Sequence, residues 1–420
     1  MTNATTDPGL GTWVPVPEGS DFPIQNLPFG VFTTAGDPGP RVGVAIGEHV
    51  LDLAAVQDSG VMRLPVAEMT RGPLNSLLAM GLGPVRRRVS ELLTAGNDEL
   101  SLLEDRGLVA MDDVEMVMPV EVGDYVDFYS SEQHATNVGR MFRPDAEPLP
   151  PNWKHLPIGY HGRSATIVPS GMDIVRPHGQ VQSGGSDPEF GPTRRLDFEV
   201  EVGFVTGQGS RAGSPIPIVA AERHIAGLLL VNDWSARDIQ SWEYRPLGPF
   251  LGKSFATTIS PWLVTLEALA PYRVTPPAQD PEPLQYLRDE SALGVDIHLD
   301  VAINGTVVSR AEFRDMYWTM AQQLAHATSN GAVTRPGDLF ASGTVSNDHP
   351  GSYGSMLELA WNGTRPIRLG GGEERSFLSD GDEVVIRGWC GGDAGPRIGF
   401  GECRGTIVAR PPTEIAAGAL

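Results

Sequence analysis

The sequence predicts a mostly β protein of the mixed α+β class that contains more than one domain. Its 420 residues exceed what one typical hydrophobic core supports, so two or three domains are expected. Its 50 glycines and 36 prolines, about a fifth of the chain, are typical of many turns between short strands. Apolar residues repeat at helical spacing in two segments, around residues 73–104 and 313–328, whereas other apolar runs are short.

The N-terminal part predicts a small β-domain with helices. Short apolar runs broken by Gly and Pro between residues 26 and 53 are typical of hairpins. Leucines and valines alternate with Arg and Glu between residues 73 and 104, which predicts one or two amphipathic helices. The turn-forming residues Met118-Pro119 and Gly123-Asp124 mark a boundary. We therefore expect one domain over residues 14–118 and a second over residues 119–420.

The C-terminal part carries most of the predicted strands. A helix is expected at Phe313–Thr328, and both Asn304-Gly305 and Asn362-Gly363 are expected to form hairpin turns. The strand candidates are Phe198–Phe204, Ile225–Asn232, Val295–Ile303 and Glu383–Arg387.

Charge and composition exclude several classes of function. A formal net charge of −21 argues against partners with a phosphate backbone and against anionic membrane surfaces. No apolar run reaches the roughly 20 residues of a membrane span, and the polar N-terminus does not match a signal peptide. A cytoplasmic location is expected. Cys390 and Cys403 cannot form a disulfide framework and are expected to be reduced in the core, although a single disulfide stays open.

Four carboxylates predict a metal site. Glu199 and Glu201 alternate within the segment Leu196–Phe204, so both side chains point to one face of a strand. An isolated pair of this kind is usually a solvated strand face. Here Asp233 ends the apolar strand 225–232, and Asp127 offers a fourth oxygen donor. If the four converge, their mutual repulsion requires a hard divalent cation, Ca²⁺ or Mg²⁺ rather than zinc.

A histidine and a distant glutamate predict a general base. His134 lies in the polar segment DFYSSEQHATNVGRMFR, where a surface histidine is an equally good interpretation of the pattern alone. A histidine near a metal ligand can instead deprotonate a water, provided that a carboxylate orients its ring. Glu358 lies in an apolar segment, where an unpaired carboxylate is costly, so it is the candidate partner.

The segment 232–258 combines charged and aromatic residues in a way that neither a surface helix nor a core explains. Arg237 and Lys253 can offset the carboxylate charge, bind an anionic substrate and stabilise an oxyanion. Gly252-Lys253-Ser254 resembles a phosphate loop, but Leu247 stands where the motif requires Gly, so an NTPase is rejected. Serine-hydrolase and dinucleotide-binding signatures are absent from the sequence. The segment Ser342–Ser346 can present backbone amides and the Thr344 hydroxyl to a carboxylate.

Eight longer motifs, in this order, resemble the fumarylacetoacetase family. They are DFYSSEQHATNVG, NWKHLPIGYHGR, LDFEVE, NDWSARDIQSWEY, PLGPFLGKSF, FRDMYWTMAQQL, ASGTVS and GSMLEL. The resemblance extends from about Val14 to Arg410. Departures lie outside the motifs, in a polar extension before Val14, the acidic loop Asp187–Glu189 and an Ala- and Pro-rich tail.

The resemblance implies a small N-terminal SH3-like β-barrel domain, a larger C-terminal mixed β-roll that carries the site, and a homodimer. It implies that His134 and Glu358 form the base and its orienting partner. It implies that developing negative charge is stabilised by Arg237, Gln240 and Lys253. The implied substrate contacts are Tyr129, Arg143, Gln240, Tyr244 and Thr344. The implied calcium ligands are Asp127, Glu199, Glu201 and Asp233, with Asp233 shared by a magnesium position near Lys253 and Thr257.

The activity implied by the resemblance is hydrolysis of the C–C bond of 4-fumarylacetoacetate, a diketone with two carboxylates, at the end of tyrosine breakdown. Two alternatives stay open at this point. One is another enzyme of the superfamily, such as an acylpyruvate hydrolase or an oxaloacetate decarboxylase. The other is a non-catalytic binding protein that keeps the fold. Such a protein is expected to have lost His134, Glu358 or a metal carboxylate, and the sequence retains all of them.

Overall fold

A computed structural model describes residues 4–99, 107–182, 187–289, 294–392 and 395–411. It confirms the mostly β, mixed α+β class. The predicted amphipathic segment near residues 73–104 forms two helices and then passes partly outside the described residues.

The N-terminal part is a five-stranded antiparallel sheet with helices beside it. The strands follow the order β4-β3-β2-β1-β5, and all four pairings are antiparallel. This agrees with the small N-terminal β-domain that the sequence predicts. The strands are β1 (Phe29–Thr34), β2 (Asp37–Ile46), β3 (His49–Asp52), β4 (Leu108–Ala110) and β5 (Val114–Met116), and the helices are α1 (Leu53–Asp58), α2 (Asn75–Met80) and α3 (Gly83–Leu93).

The C-terminal part contains two larger sheets. The helices are α4 (Glu132–Phe142), α5 (Ile218–Ala221), α6 (Arg237–Glu243), α7 (Leu266–Leu269), α8 (Met320–Thr328) and α9 (Met356–Leu359). The strands are β6 (Tyr125–Phe128), β7 (Gly159–His161), β8 (Ile167–Pro169), β9 (Asp173–Val175), β10 (His178–Val181), β11 (Glu189–Pro192), β12 (Leu196–Asp197), β13 (Val200–Thr206), β14 (Ile225–Asp233), β15 (Ser235–Ala236), β16 (Thr257–Ile259), β17 (Val264–Thr265), β18 (Arg273–Val274), β19 (Gly294–Val295), β20 (His298–Ile303), β21 (Thr306–Glu312), β22 (Leu339–Ala341), β23 (Ile367–Arg368), β24 (Glu374–Arg375), β25 (Glu383–Gly392) and β26 (Gly395–Val408).

The central sheet has the order β7-β6-β22-β13-β14-β16-β8, and β17 pairs with the far end of β14. The second sheet has the order β21-β20-β25-β26-β9. In the central sheet, β22 lies between β6 and β13, and β14 follows on the other side of β13. Three of these four neighbouring strands carry carboxylates, so the strand order brings distant parts of the chain to one place.

Strand β14 is buried on both faces and joins two hydrophobic cores. Leu228 and Leu230 belong to the core shared with the second sheet. Leu229 and Val231 belong to the core that includes the N-terminal sheet and helix α3. A continuous apolar run is the sequence pattern of a strand covered on both sides. This last core contains residues from both sides of the predicted domain boundary at 118–119, so that boundary stays a prediction.

The strand predictions hold with shifts of a few residues, but the helix at Phe313–Thr328 is wrong in its first half. Phe313–Asp315 is a single 3₁₀ turn, and α8 begins only at Met320. The reason is a capping box: the Thr319 hydroxyl accepts from the Gln322 amide at 3.3 Å, and the Gln322 side chain accepts from the Thr319 amide at 3.1 Å. This reciprocal pair fixes the start of a helix.

One of the two predicted Asn-Gly hairpin turns is confirmed and one is wrong. Asn304-Gly305 joins β20 to β21 with φ angles of 48° and 75°, as a two-residue hairpin requires. Asn362-Gly363 also has positive φ angles, but it follows helix α9 rather than joining two paired strands. The Asn362 amide donates to the Leu357 carbonyl at 2.7 Å, so these positive φ angles belong to the C-terminal end of helix α9.

Both cysteines are buried and free, as expected. Within the described residues, helices of the length and apolar character needed to cross a bilayer are not found.

Candidate active site

Four buried carboxylates converge at one end of the central sheet. Asp127 lies in β6, Glu199 immediately precedes β13, Glu201 lies within it, and Asp233 ends β14. Each residue contributes an oxygen, and these oxygens all lie within 4.8 Å of one another. Each of the four residues is at most 5 % exposed. The predicted convergence is therefore confirmed, and it follows from the strand order together with the two-residue period of β13.

The donor set suits a divalent metal ion. Oδ1 of Asp127 and Oε1 of Glu201 are buried and have no hydrogen-bond partner. Burial and the neighbouring carboxylates raise the pKa of both groups well above the ordinary range. Uncompensated negative charge and free oxygen acceptors are what a hard cation would satisfy. The cluster can thus hold a metal ion, although the arrangement does not distinguish Ca²⁺ from Mg²⁺.

Lys253 neutralises part of this charge. Its ammonium lies 2.5 Å from Oε2 of Glu199 and also pairs with Oδ2 of Asp233. Burial opposes the charged form, but the two carboxylates outweigh it and raise the pKa of Lys253. The hydroxyl of Thr257 donates to Oδ1 of Asp233 at 3.4 Å. Lys253 is thus held as a cation by two carboxylates. Lys253 and Thr257, near which the sequence predicts a magnesium ion, both contact Asp233.

Arg237 is the first residue of helix α6 and contacts the carboxylate cluster. Its Nη2 lies 2.6 Å from Oε1 of Glu199, and its Nε donates to Oδ2 of Asp197 at 2.7 Å. Nη1 donates to the side-chain oxygen of Gln240 at 3.2 Å. Burial alone would raise the pKa of Glu199, but Arg237 and Lys253 outweigh it and lower that pKa. The guanidinium thus has fixed contacts and lies beside the proposed ligand Glu199.

His134 and Glu358 are in direct contact. Nδ1 of His134 lies 2.7 Å from Oε2 of Glu358, and both side chains are buried. Ser131 begins helix α4 by accepting from the His134 amide at 3.2 Å, which fixes the histidine in the first turn. With the carboxylate at Nδ1, the Nε2 atom is the one left to accept a proton.

Glu358 is held by several further donors. Asn137 donates to Oε1, and Ser346 and Ser355 each donate to Oε2, all at 2.9 Å. Burial alone would raise the pKa of Glu358, but His134 and these hydrogen bonds outweigh it and lower that pKa. The side chain is therefore a carboxylate in the conditions under which His134 would act.

The residues predicted to contact substrate are only partly brought together. The ring of Tyr129 lies edge-on to His134, with 5.3 Å between centroids. The Thr344 hydroxyl is buried without a hydrogen-bond partner, next to Gly343, whose amide donates to Glu201. Arg143 is half-buried and donates to the Pro148 carbonyl at 2.6 Å.

Tyr244 lies at the margin. It is 38 % exposed, and its hydroxyl accepts a hydrogen bond from the neighbouring Arg245 at 2.8 Å. No contact places Tyr244 against the carboxylate cluster within the described part of the chain.

A cavity of about 310 Å³ opens beside Asp233 and Lys253. Its wall includes Tyr160, Arg163 and Phe250. The hydroxyl of Tyr160 donates to Oδ2 of Asp233 at 3.1 Å. The cavity has the size of a small-molecule site and reaches the charged cluster directly.

The sequence reasoning missed several residues that hold the site. Asp197 could have been found, because it continues the two-residue spacing of Glu199 and Glu201 in the sequence, although the structure places it in the separate strand β12. The partners of Glu358 and Asp233 carry no such pattern, since they come from separate segments. These residues are Asn137, Tyr160, Ser346 and Ser355.

A second group with metal-ligand chemistry lies outside this site. Asp296, His298 and Glu312 bring their ligand atoms within 4.8 Å of one another. His298 lies 2.9 Å from Glu312, and Arg314 lies 3.3 Å from Asp296. All three side chains are partly exposed, so the group is adequately explained as a surface ion-pair network.

Two family models match most of the chain. Residues 25–119 match the model described as fumarylacetoacetase N-terminal, and residues 125–408 match the one described as fumarylacetoacetate (FAA) hydrolase C-terminal.

Curated relatives align over nearly the whole chain. The human fumarylacetoacetase is 50 % identical over 413 residues, covering 94 % of this chain and 98 % of the human protein. The Arabidopsis thaliana fumarylacetoacetase is 48 % identical over 420 residues, covering 96 % of this chain and 99 % of the plant protein. Among solved structures, fumarylacetoacetate hydrolase from psychrophilic Exiguobacterium antarcticum has a TM-score of 0.53 at 17 % identity and covers 91 % of this chain and 100 % of that one. That structural likeness concerns the fold alone.

Proposed function

The chain belongs to the fumarylacetoacetase family, and from this premise we propose that it hydrolyses 4-fumarylacetoacetate to fumarate and acetoacetate, the last step of tyrosine breakdown. The observation that carries the proposal is the buried site, in a chain that aligns with nearly the whole length of its relatives. The four carboxylates converge with the cations Arg237 and Lys253, and the His134–Glu358 pair is buried as well. A protein that kept only the fold would have no need to maintain so many buried charges.

Asp127, Glu199, Glu201 and Asp233 would hold the metal ion, with Ca²⁺ proposed there and Mg²⁺ proposed near Lys253 and Thr257. When bound, such an ion supplies Lewis-acid polarisation of the substrate's diketone oxygens. The two unpartnered carboxylate oxygens of Asp127 and Glu201 support this assignment. Burial and the neighbouring carboxylates, which raise the pKa of both groups, support it as well.

His134 acts as the general base. Its Nε2 takes a proton from a water molecule, and the oxygen of that water attacks the carbonyl carbon of the fumaryl group. Glu358 fixes the ring through Nδ1 and stabilises the imidazolium that results. The four donors to Glu358 keep its carboxylate in place while the charge on His134 changes.

Breaking the C–C bond requires stabilisation of negative charge. The electron pair of that bond leaves with the acetoacetate carbon, which then takes up a proton, while the oxygen from water stays in the new carboxylate of fumarate. Arg237, Gln240 and Lys253 lie on the side of the cluster formed by Glu199 and Asp233. Fixed donors of this kind stabilise developing charge without reorganisation.

Substrate binding is proposed for Tyr129, Arg143, Gln240, Tyr244 and Thr344. The role of Thr344 is supported by its buried hydroxyl, which has no hydrogen-bond partner among the described residues. The role of Tyr129 is supported by the contact of its ring with His134. The guanidinium of Arg143 offers a partner for one terminal carboxylate. Tyr244 is half-exposed at the end of helix α6, so its role depends on substrate reaching the margin of the site.

Two further proposals concern the state of the protein. We infer a homodimer, since the segment after helix α6 exposes apolar side chains that a second copy would cover; Leu247 is 96 % exposed and Phe250 is 57 % exposed. Light scattering after size exclusion tests this, and a monomer at micromolar concentration would contradict it.

A cytoplasmic location is proposed from the family's metabolic role.

The decisive experiment follows the loss of fumarylacetoacetate absorbance. Wild type is compared with His134→Ala, each with and without a chelator. Activity in wild type that is lost in the variant and suppressed by the chelator would support both the substrate and the base. If the intact, metal-loaded protein leaves fumarylacetoacetate unchanged, the proposed substrate is wrong. Acylpyruvates and oxaloacetate are then the next substrates to assay, because the alternative enzymes of the superfamily act on them.

A further inference from the structure

Asp197 is a buried carboxylate whose two oxygens are shared between two separate elements. It is 0 % exposed. Oδ2 accepts from Nε of Arg237 at 2.7 Å and from the Leu357 amide at 3.0 Å. Oδ1 accepts from the Met356 amide at 2.7 Å. Three donors therefore converge on one side chain, one from the start of helix α6 and two from the start of helix α9.

The two elements carry different parts of the proposed reaction. Helix α9 carries Glu358, which contacts His134. Helix α6 begins with Arg237, which contacts the metal-cluster residue Glu199. Met356 and Leu357 lie two positions and one position before Glu358, in a helix of only four residues. A shift of their amides therefore moves the Glu358 backbone, since so short a helix has little internal rigidity.

We infer that Asp197 is a positioning residue. It fixes the general base His134, with its partner Glu358, and the charge-stabilising Arg237 in their positions relative to each other. The inference rests on the proposed function and deepens it. Asp197 does not touch the proposed substrate; it acts through the residues that it holds. Its negative charge also lets Arg237 lie beside Glu199 without neutralising that carboxylate completely, because the guanidinium is shared between two anions.

An amide at this position would break the arrangement while keeping its volume. The side chain of Asn offers one acceptor oxygen, and its NH₂ group would face donors where Asp197 accepts. At least one of the three bonds is lost, and Arg237 keeps only Glu199 as an anionic partner. Since misplacement by about 1 Å can cost a factor of about 100 in rate, the effect should appear in kcat.

The matched control is Asp52 in the N-terminal sheet. Its carboxylate accepts from Nε of Arg41 at 2.8 Å and from the amides of Ala54 and Ala55 at 2.9 and 3.1 Å. Asp52 thus makes the same kinds of bond, to one arginine and to two amides at the start of a short helix, away from the site. Asp52→Asn should lower the melting temperature and leave kcat unchanged.

For Asp197→Asn we expect kcat for fumarylacetoacetate to fall by about 10- to 100-fold per folded molecule, with KM changed less than about threefold. The double variant Asp197→Asn/Arg237→Gln should lose less kcat than the product of the two single losses, because part of the first change acts through Arg237. A kcat equal to wild type, with only the stability loss seen in Asp52→Asn, would overturn the inference. Full multiplication of the two kcat losses would also overturn it.

Amide hydrogen exchange tests the same link without any activity. The Met356 and Leu357 amides should exchange faster in Asp197→Asn and also in Arg237→Gln, since without the Arg237 Nε donor the Asp197 carboxylate is no longer fixed in its orientation toward these amides. Unchanged exchange in Arg237→Gln would overturn the inference even if Asp197→Asn fails to fold. If wild type does not cleave fumarylacetoacetate, the proposed function fails, and the exchange measurement still decides whether Asp197 holds both elements.

Discussion

Nδ1 of His134 lies 2.7 Å from Oε2 of Glu358, although the two residues are 224 positions apart in the chain. From this contact we predict that Glu358→Gln lowers kcat by about 10²- to 10⁴-fold, because an amide neither stabilises the imidazolium nor fixes the same tautomer. The measurement is the rate of fumarylacetoacetate loss at saturating substrate. KM should change far less, since Glu358 is not proposed to contact the substrate.

Glu312→Gln is the control for that prediction. Glu312 makes the same type of contact with His298, at 2.9 Å, but on a partly exposed surface outside the site. This variant should retain wild-type kcat. If the two variants lose similar activity, the effect of Glu358→Gln is general destabilisation, and the assignment of Glu358 as the orienting group is wrong.

The net charge of −21 predicts a salt dependence for substrate capture. Fumarylacetoacetate carries two carboxylates, so long-range repulsion should slow its approach at low ionic strength. We expect kcat/KM to rise by about two- to tenfold between ~10 mM and ~150 mM salt, as screening shortens the reach of the protein's field. Sodium chloride and choline chloride should act alike. A flat profile would mean that local cations such as Arg143 already offset the repulsion.

The carboxylate cluster was partly predictable, because three of its members obey local rules. Glu199 and Glu201 share a face by the two-residue period, and Asp233 ends an apolar strand. The same spacing in the sequence includes Asp197, which sequence reasoning passed over. Glu358 was chosen as the partner of His134 because a carboxylate in an apolar segment is costly unless it is paired. No local pattern relates the two positions to each other, since only tertiary structure joins them.

The errors in the fold have local causes as well. Apolar residues at helical spacing predicted a helix from Phe313, but Thr319 and Gln322 form a capping box that starts it later. Asn362-Gly363 has the composition of a hairpin turn, yet it ends helix α9, because positive φ serves both purposes. Composition therefore identified the conformation at these positions but not the element to which it belongs.

Asp382 predicts a pH dependence of stability away from the active site. It accepts hydrogen bonds from Arg375, Asn304 and the Ser379 amide. Burial opposes the charged form, but these donors outweigh it and lower the pKa of Asp382. Because the folded-state pKa lies below the unfolded one, this stabilisation is present in full above the unfolded pKa and is lost as pH falls through the folded one.

We expect Asp382→Asn to lower the free energy of unfolding by about 1–3 kcal/mol at neutral pH. The gap from wild type should close on acidification below about pH 4. Urea unfolding across a pH series measures it. Asp380→Asn is the control, because Asp380 pairs with Arg176 at 2.6 Å on the surface and should cost under about 1 kcal/mol. A gap that persists unchanged at low pH would show that the amide substitution, not the charge, causes the loss.

Neutralising one carboxylate of the cluster should change stability in opposite directions with and without metal. In Glu201→Gln the new amide can keep the bond from the Gly343 amide, which is 3.0 Å in wild type, while removing a carboxylate whose charged form burial and its three neighbours oppose. With a chelator present, we expect the variant to melt about 2–4 °C above wild type. With millimolar Ca²⁺ or Mg²⁺, wild type should gain more than the variant and become the more stable protein, because the stabilisation by a bound ion increases with the logarithm of its affinity. A variant that is less stable than wild type in chelator would show that repulsion among these carboxylates is not what the metal relieves.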